Sequence, residues 1–349
     1  MGLDGALARY LSVARAEPFD QEAAKSAASE LLSAAASASP AQSGEALSAL
    51  AADVARDAES LVLSAVMAGA LIERGAPGEA LERVLFPRLQ TWLAESVVLL
   101  DALLAEHPLA AGEQSVDDEL DENEWVGTRL SEERPWALIG DTYLPAVALL
   151  GASPKARRGE RALLPALRRL EPYHPGASWL RQMLDVLDDE PLVVIDVAAR
   201  RGSEGSMSGV ASNFELFVLI ADAAAGELGL PRPPEAAVRC LSGQGAQDSG
   251  IVVEAAFNAY AYSALGAACK LPDASDYGGS AHWIWGEGEP WEIPALEGTR
   301  VVLIGPPSYA RLVPAQRTFA SLRARLDLRP MARDEVDAWI ARIVRANAN

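Results

Sequence analysis

Lysine, histidine and cysteine are all scarce in this chain of 349 residues, and each shortage argues against a class of function. Lysine occurs only at Lys25, Lys155 and Lys270, and no basic stripe is present. The formal net charge is −19, a field that repels nucleic-acid phosphates and anionic membrane surfaces. We therefore expect no nucleic-acid partner, and we expect any electrostatic partner to be basic.

The two cysteines, Cys240 and Cys269, are too few for a disulfide framework in a chain of this length. The three histidines stand apart, with no histidine one helical turn away and no cysteine pair nearby, so the sequence predicts no metal site and no cofactor. The first residues contain Asp4 and no long apolar run, unlike a secretory signal. The most apolar helix candidate, 61–72, is shorter than the ~20 residues that a bilayer requires. A cytoplasmic protein without a membrane partner is expected.

Apolar residues, by contrast, make up 50% of the chain and follow two different spacings. Up to residue 190 they recur every three to four positions, as in amphipathic helices. Beyond it, short and mostly β-branched or aromatic runs predict strands at 192–196, 251–257, 282–285 and 300–304. This order predicts an α+β fold, with an all-helical N-terminal domain followed by a mixed α/β C-terminal domain that contains a small sheet.

Composition divides the chain into four predicted segments. In chain order they are a helical domain, an acidic linker, a helical segment and an α/β domain with a C-terminal amphipathic helix: 1–110, 111–134, 135–190 and 191–349. The linker is predicted because seven acids and no base lie between Glu113 and Glu124, a run typical of a solvated connection. In the α/β domain, Ser212 and Glu215 form an S-x-x-E capping box and predict the start of a helix.

The segment 200–209, RRGSEGSMSG, is the first candidate binding site. It is predicted to be a glycine- and serine-rich loop before a capped helix, and N–H groups at a helix N-terminus can hold an anion. The candidate ligands of a phosphate or carboxylate are Arg200, Arg201, Ser206 and Ser208. A flexible connection with solvated serines explains the same composition. A serine-hydrolase elbow does not fit, because Met207 occupies the position that requires serine.

The most distinctive segment is 282–311, in which tryptophans and glutamates are interleaved. Such residues suit a protein partner, a cation or a sugar, since tryptophan is enriched at binding hot spots and attracts cations. A second interpretation is that Trp283 and Trp285 face the same side of one strand and fill the core. The burial of these side chains distinguishes the two interpretations.

Two stretches resemble an uncharacterised bacterial protein family. GVASNFELFVLIADA (209–223) resembles its NFxLxxLxADA helix, and WIWGEGEPWEIPALEGTRVVLIGPPSYAR (283–311) resembles its WxWxEGxPxxIPxxxGxRVVxxxPPxYxR segment. The resemblance implies no known activity and no catalytic residue. The resemblance marks five candidate binding residues, which are Asn213, Trp285, Glu287, Tyr309 and Arg311. Trp291 in the segment 282–311 is a sixth candidate.

The sequence thus lacks a nucleophile elbow, a metal cluster and a nucleotide-binding loop, and it favours a non-catalytic protein-interaction or adaptor protein. The expected partner is a protein, and a homo-oligomer is compatible with the sequence. Two alternatives stay open, an enzyme of unrecognised class such as a hydrolase, and a small-molecule sensor. Either would use a pocket in the C-terminal domain, lined by Asn213, Glu287 and Arg311.

Overall fold

The structure is a computed structural model that divides into two compact units, Met1–Leu184 and Asp185–Asn349. It describes the residue ranges 2–56, 58–107, 116–272, 281–307 and 309–348. The first unit is helical and the second combines helices with a mixed sheet, so the predicted α+β class is confirmed. Among the described residues, no helix combines the length and the apolar character that crossing a bilayer demands.

Helices alone form the described part of the first unit, because its apolar residues recur at helical spacing. Their bounds are α1 Leu3–Ala14, α2 Gln21–Ala35, α3 Pro40–Val54, α4 Leu61–Glu73, α5 Glu79–Glu106, α6 Val116–Leu130, α7 Arg134–Ala152, α8 Pro154–Gly159, α9 Leu164–Leu170 and α10 Pro175–Asp185. Local chemistry sets their starts. At α3, the Gln42 N–H donates to Ser39 Oγ at 3.3 Å and the Ser39 N–H donates to Gln42 Oε1 at 3.0 Å, a complete capping box.

The acidic segment predicted as a linker contains a helix instead. α6 covers Val116–Leu130, whereas residues 108–115 lie outside the described residues. The physical reason is a short apolar face: Val126 and Leu130 lie one helical turn apart and both are buried. The division between the units follows Leu184, six residues before the predicted domain boundary at 190.

The second unit alternates strands and helices. Its elements are β1 Glu190–Asp196, β2 Arg201–Ser208, α11 Asn213–Ala223, α12 Ala225–Leu228, α13 Glu235–Leu241, β3 Asp248–Glu254, β4 Asn258–Ala261, β5 Ala295–Leu296, β6 Thr299–Gly305, β7 Leu312–Gln316, β8 Arg325–Pro330 and α14 Arg333–Asn347. The predicted strands at 192–196 and 300–304 are confirmed as β1 and β6, and the predicted C-terminal helix is confirmed as α14. The strand predicted at 251–257 lies three residues earlier, as β3.

The main sheet has the strand order β4-β6-β1-β2-β8, with β5 beside β6, while β3 and β7 form a separate pair. β1 and β6 are parallel, and the other pairs are antiparallel. Alternation along β1 places Leu192 and Val194 in the core shared with α11, and Val193 and Ile195 in the core shared with α14. These two helices therefore cover opposite faces of the main sheet.

Two local predictions in this unit are wrong. The segment 282–285 is not a strand, and Trp283 forms only an isolated bridge with Tyr260. The predicted loop at 200–209 is mostly strand β2, which pairs with β1 on one side and with β8 on the other. Glycine permits the close pairing, because a Cβ on Gly205 would lie 1.8 Å from the Asp327 carbonyl oxygen.

Candidate functional site

The start of α11 holds the segment Trp285–Gly288, here called the anchored segment. The N–H groups of a first helical turn have no acceptor within the helix. Here the Asn213 N–H donates to Gly288 O and the Phe214 N–H donates to Gly286 O, both at 2.9 Å. The Asn213 side chain adds a bond from Nδ2 to Trp285 O at 2.8 Å. Asn213 is buried, so it positions the segment and does not itself offer a contact surface.

Glycine allows the anchored segment to lie directly on the helix. A Cβ on Gly286 would lie 2.1 Å from Phe214 Cε1, and a Cβ on Gly288 would lie 2.7 Å from Glu292 Oε2. No side chain fits at either position without displacing its neighbour. Trp285 directly precedes Gly286, Glu287 lies between the two glycines, and both residues are exposed. Sequence reasoning identified both residues and the start of the helix, but not the contact by which the helix holds the segment.

Trp283, Trp285 and Tyr309 form one aromatic cluster. The Trp283 and Trp285 ring centroids are 5.2 Å apart, and those of Trp283 and Tyr309 are 6.4 Å apart, in tilted arrangements favourable for aromatic pairs. Trp283 is partly buried, whereas Trp285 is 47% exposed and Tyr309 is 50% exposed. The interpretation that Trp283 and Trp285 fill the core together is therefore wrong for Trp285.

Arg311 joins this cluster through Tyr309. Its guanidinium carbon lies 5.3 Å from the Tyr309 ring centroid, within the range of a cation–π contact. Its Nη2 donates to Asn258 Oδ1 at 2.7 Å, and Asn258 is a buried residue at the first position of β4. The structure thus brings together three of the predicted residues, Trp285, Tyr309 and Arg311, around a fourth side chain, Trp283.

Buried polar atoms without a hydrogen-bond partner concentrate in this region. Among the described residues these atoms are Ser96 Oγ, Asn213 Oδ1, Trp283 Nε1, Arg311 Nε and Arg317 Nε. All but the first belong to the C-terminal unit, on residues that anchor the segment, join the aromatic cluster or line the cavity described below. An unsatisfied buried donor or acceptor costs about 1–3 kcal/mol, and its occurrence in a folded protein requires a structural or functional explanation.

Trp291 belongs to the surrounding structure and not to the aromatic cluster. Its Nε1 donates to Glu289 Oε2 at 2.8 Å, its carbonyl accepts from Arg300 Nη1 at 2.9 Å, and its side chain packs against the core of the main sheet. The Glu289 N–H in turn donates to Glu292 Oε2 at 2.7 Å. Two of the three interleaved glutamates, Glu289 and Glu292, therefore stabilise the turn itself, whereas Glu287 is exposed to solvent.

A cavity of about 400 Å³ adjoins the anchored segment, and we call it the Glu215 cavity. Its walls include Glu215 of α11, Glu287, and Arg317, which directly follows β7. Glu215 Oε2 accepts from the Ala211 N–H at 2.9 Å. Burial raises the pKa of the Glu215 carboxyl to about 7, against the opposing effects of that N–H and of the Arg317 charge. Sequence reasoning recognised Glu215 only as a capping residue, because nothing local indicates that it is buried.

The four predicted anion ligands are not brought together by the structure. Arg200 Nη2 lies 2.6 Å from Asp337 Oδ1 on α14, in an ion pair. Ser208 Oγ accepts from the Asp189 N–H at 2.8 Å. Alternation along β2 places Ser206 and Ser208 on one face and Arg201 on the other. The N–H groups of this segment lie in a strand and not at a helix start, which removes the reason for predicting an anion site there.

Within the described residues, no group of three or more His, Cys, Asp and Glu side chains is arranged to hold a metal ion. Comparisons of the chain with family models, curated proteins and solved structures give no match. Function is therefore inferred from the geometry of the anchored segment, the aromatic cluster and the Glu215 cavity.

Proposed function

We propose that this chain is a non-catalytic interaction protein whose aromatic cluster binds a basic segment of a protein partner. The observation that carries the proposal is the half-exposure of Trp285 and Tyr309, each in ring contact with Trp283. Tryptophan, tyrosine and arginine are the residues most enriched at the centres of protein interfaces. Holding Trp285 on the helix-anchored segment lowers the entropy lost when a partner binds.

Charge near the cluster supports a basic partner. Glu287 is exposed two residues after Trp285, and the whole chain carries a net charge of −19. A partner lysine or arginine over the Trp285 ring gains a cation–π contact of about 0.5–1 kcal/mol, and Glu287 supplies the opposite charge. The Tyr309 ring already has the Arg311 guanidinium beside it, so the partner's cation is expected on Trp285.

Affinity purification with the tagged full-length chain tests the proposal, using Trp285→Ala and a matched tryptophan control, Trp125→Ala. Trp125 is 40% exposed and lies on α6 of the helical unit. Loss of a hot-spot tryptophan costs at least about 2 kcal/mol, or roughly a 30-fold rise in Kd. We expect a co-purifying basic protein to be lost with Trp285→Ala and retained with Trp125→Ala, and its binding to weaken with Glu287→Gln.

Near-ultraviolet circular dichroism of the Trp285→Ala variant checks that the C-terminal unit keeps its fold. Partners that are retained equally by both tryptophan variants would overturn the proposal. So would a partner that depends on Trp285 but is acidic and indifferent to Glu287→Gln, since the charge argument would then have the wrong sign.

A further inference from the structure

The Glu215 cavity has the size and the wall chemistry of a small-ligand site that is separate from the aromatic cluster. Its volume, about 400 Å³, falls within the ~300–1,000 Å³ usual for small-molecule sites. One part of the wall is apolar, formed by Phe214, Leu241 and Val313. The polar part holds Glu215 and Arg317, with Glu287 also on the wall and exposed to solvent.

Arg317 is a buried cation whose guanidinium is held by backbone carbonyls. The residue is 5% exposed, and its Nη1 donates to the carbonyls of Phe319, Ala320 and Leu322 at 3.0, 2.9 and 3.2 Å. These bonds fix one edge of the guanidinium. Its Nε has no acceptor among the described residues. A guanidinium keeps its charge, and Arg317 places that charge in the wall of the cavity, where it favours an anion such as a carboxylate.

The Glu215 carboxyl offsets the positive charge of Arg317 only when it is ionised. Its carboxyl is buried with one oxygen on the Ala211 N–H, and burial raises its pKa to about 7. Near neutral pH a large fraction of the molecules therefore have a neutral Glu215. In those molecules the cavity contains one fixed positive charge, and the protonated carboxyl is a further hydrogen-bond donor.

We infer that the Glu215 cavity binds a short organic monocarboxylate, whose anionic group lies between Arg317 and Glu215 and whose apolar end contacts Phe214. A single negative charge matches the single guanidinium. Glu287 on the same wall disfavours anions of higher charge, such as phosphate. The site shares Glu287 with the proposed protein contact, but the ligand's contacts with Arg317 and Glu215 do not involve Trp285 or Tyr309, so either proposal can fail without the other.

Binding of the carboxylate is linked to proton uptake by Glu215. Arg317 faces Glu215, Arg323 and Cys240 act on Arg317, and Glu287 lines the same cavity. An ionised Glu215 repels the ligand, so affinity is highest below pH about 7 and falls as the pH rises through that value. Between pH about 6 and about 8 the protonated fraction falls roughly tenfold, and Kd is expected to rise roughly tenfold.

Calorimetric titration of the full chain with sodium propionate, at constant chloride, tests the inference. Propionate stays ionised over this pH range, so a change in affinity reports on the protein. We expect saturable binding at pH about 6 and roughly tenfold weaker binding at about 8, with neutral propionamide and inorganic phosphate both weaker than propionate. Absence of saturable propionate binding at the lower pH would overturn the inference, as would equal binding of propionamide or tighter binding of phosphate.

Glu215→Gln separates the role of the carboxyl in ligand binding from its structural bond to the Ala211 N–H. Glutamine keeps a carbonyl oxygen for the Ala211 N–H and is neutral at every pH, so propionate affinity is expected to become independent of pH. Glu227→Gln on α12 is the matched control and should keep the tenfold dependence. A pH dependence that persists in Glu215→Gln would refute the assignment. Should Glu215→Gln fail to fold, Glu287→Gln decides, because removing this wall charge must strengthen propionate binding.

Discussion

At the scale of single residues, the helical unit contains a buried polar network that no sequence pattern predicts. Asp53 Oδ2 accepts from Ser60 Oγ and Ser64 Oγ, both at 2.8 Å, and its Oδ1 accepts from Arg15 Nε at 3.0 Å. The Tyr10 hydroxyl extends the network at 2.8 Å from Ser64 Oγ. Burial alone would raise the pKa of Asp53, but the bonds from Arg15, Ser60 and Ser64 outweigh it and lower the pKa below its ordinary value.

We expect Asp53→Ala to lower the free energy of unfolding by about 3 kcal/mol, because it leaves buried hydroxyls and a guanidinium without their acceptor. Glu30→Ala, which removes an exposed ion pair to Arg9, should cost less than about 1 kcal/mol in the same urea titration. The pKa of Asp53 is lower in the folded protein than the ordinary value of 3.8, so the ionised carboxylate contributes its full stabilisation above pH 3.8. This stabilisation is lost as the pH falls through the lower folded-state pKa. A gap between wild type and Asp53→Ala that stays constant into strong acid would contradict this assignment.

At the scale of elements, strand β2 depends on glycine where two backbones approach. Gly205 pairs with Leu328 of β8, and its missing Cβ would meet the Asp327 carbonyl oxygen. Composition predicts a loop here because glycine and serine have little intrinsic preference for strands. Pairing on both sides overrides that preference, since it supplies hydrogen bonds along both edges of the strand.

We expect Gly205→Ala to destabilise the protein by at least about 2 kcal/mol, because β2 and β8 must separate to admit the methyl group. Gly226→Ala in α12 is the control, since a Cβ there meets nothing within 4 Å. Alanine should stabilise that helix by about 0.5–1 kcal/mol. Thermal unfolding followed by circular dichroism measures both, and equal effects at the two positions would show that the close approach at Gly205 is not limiting.

At the scale of the whole molecule, each compact unit contains its own hydrophobic core. In the second unit, Leu192 and Val194 lie with α11, while Val193 and Ile195 lie with α14, so the main sheet is covered on both faces by helices of the same unit. Cores of this kind allow independent folding. The aromatic cluster and the Glu215 cavity lie within the second unit as well.

We therefore expect the fragment 185–349, expressed alone, to unfold cooperatively and to keep a near-ultraviolet circular dichroism signal from its packed tryptophans. The fragment 1–184 is the counterpart and should show helical far-ultraviolet spectra with its own transition. A second-unit fragment that lacks a cooperative transition would show that its core needs the helical unit.

The amino-acid sequence by itself determined the features that depend on local spacing and local bonds. Helical periodicity, the runs that became β1 and β6, and the N-cap at Ser212 are of this kind. The Glu215 N–H does donate to Ser212 Oγ, at 3.2 Å, while the Glu215 carboxylate accepts from the Ala211 N–H and does not complete the predicted capping box. The apolar residues of a helix or a buried strand recur at the spacing characteristic of that element, so these features can be recognised from the sequence without knowledge of the fold.

Only the tertiary structure decided which side chains are buried and what lies opposite them. β2 is a strand because two distant segments pair with it, the pKa of Glu215 is raised because the fold buries its carboxyl, against the opposing charge of Arg317, and Trp285 is exposed because α11 holds its segment by the backbone. Each of these outcomes depends on contacts between residues far apart in the chain. Solvent exclusion and charge proximity are properties of that arrangement, and no local pattern encodes them.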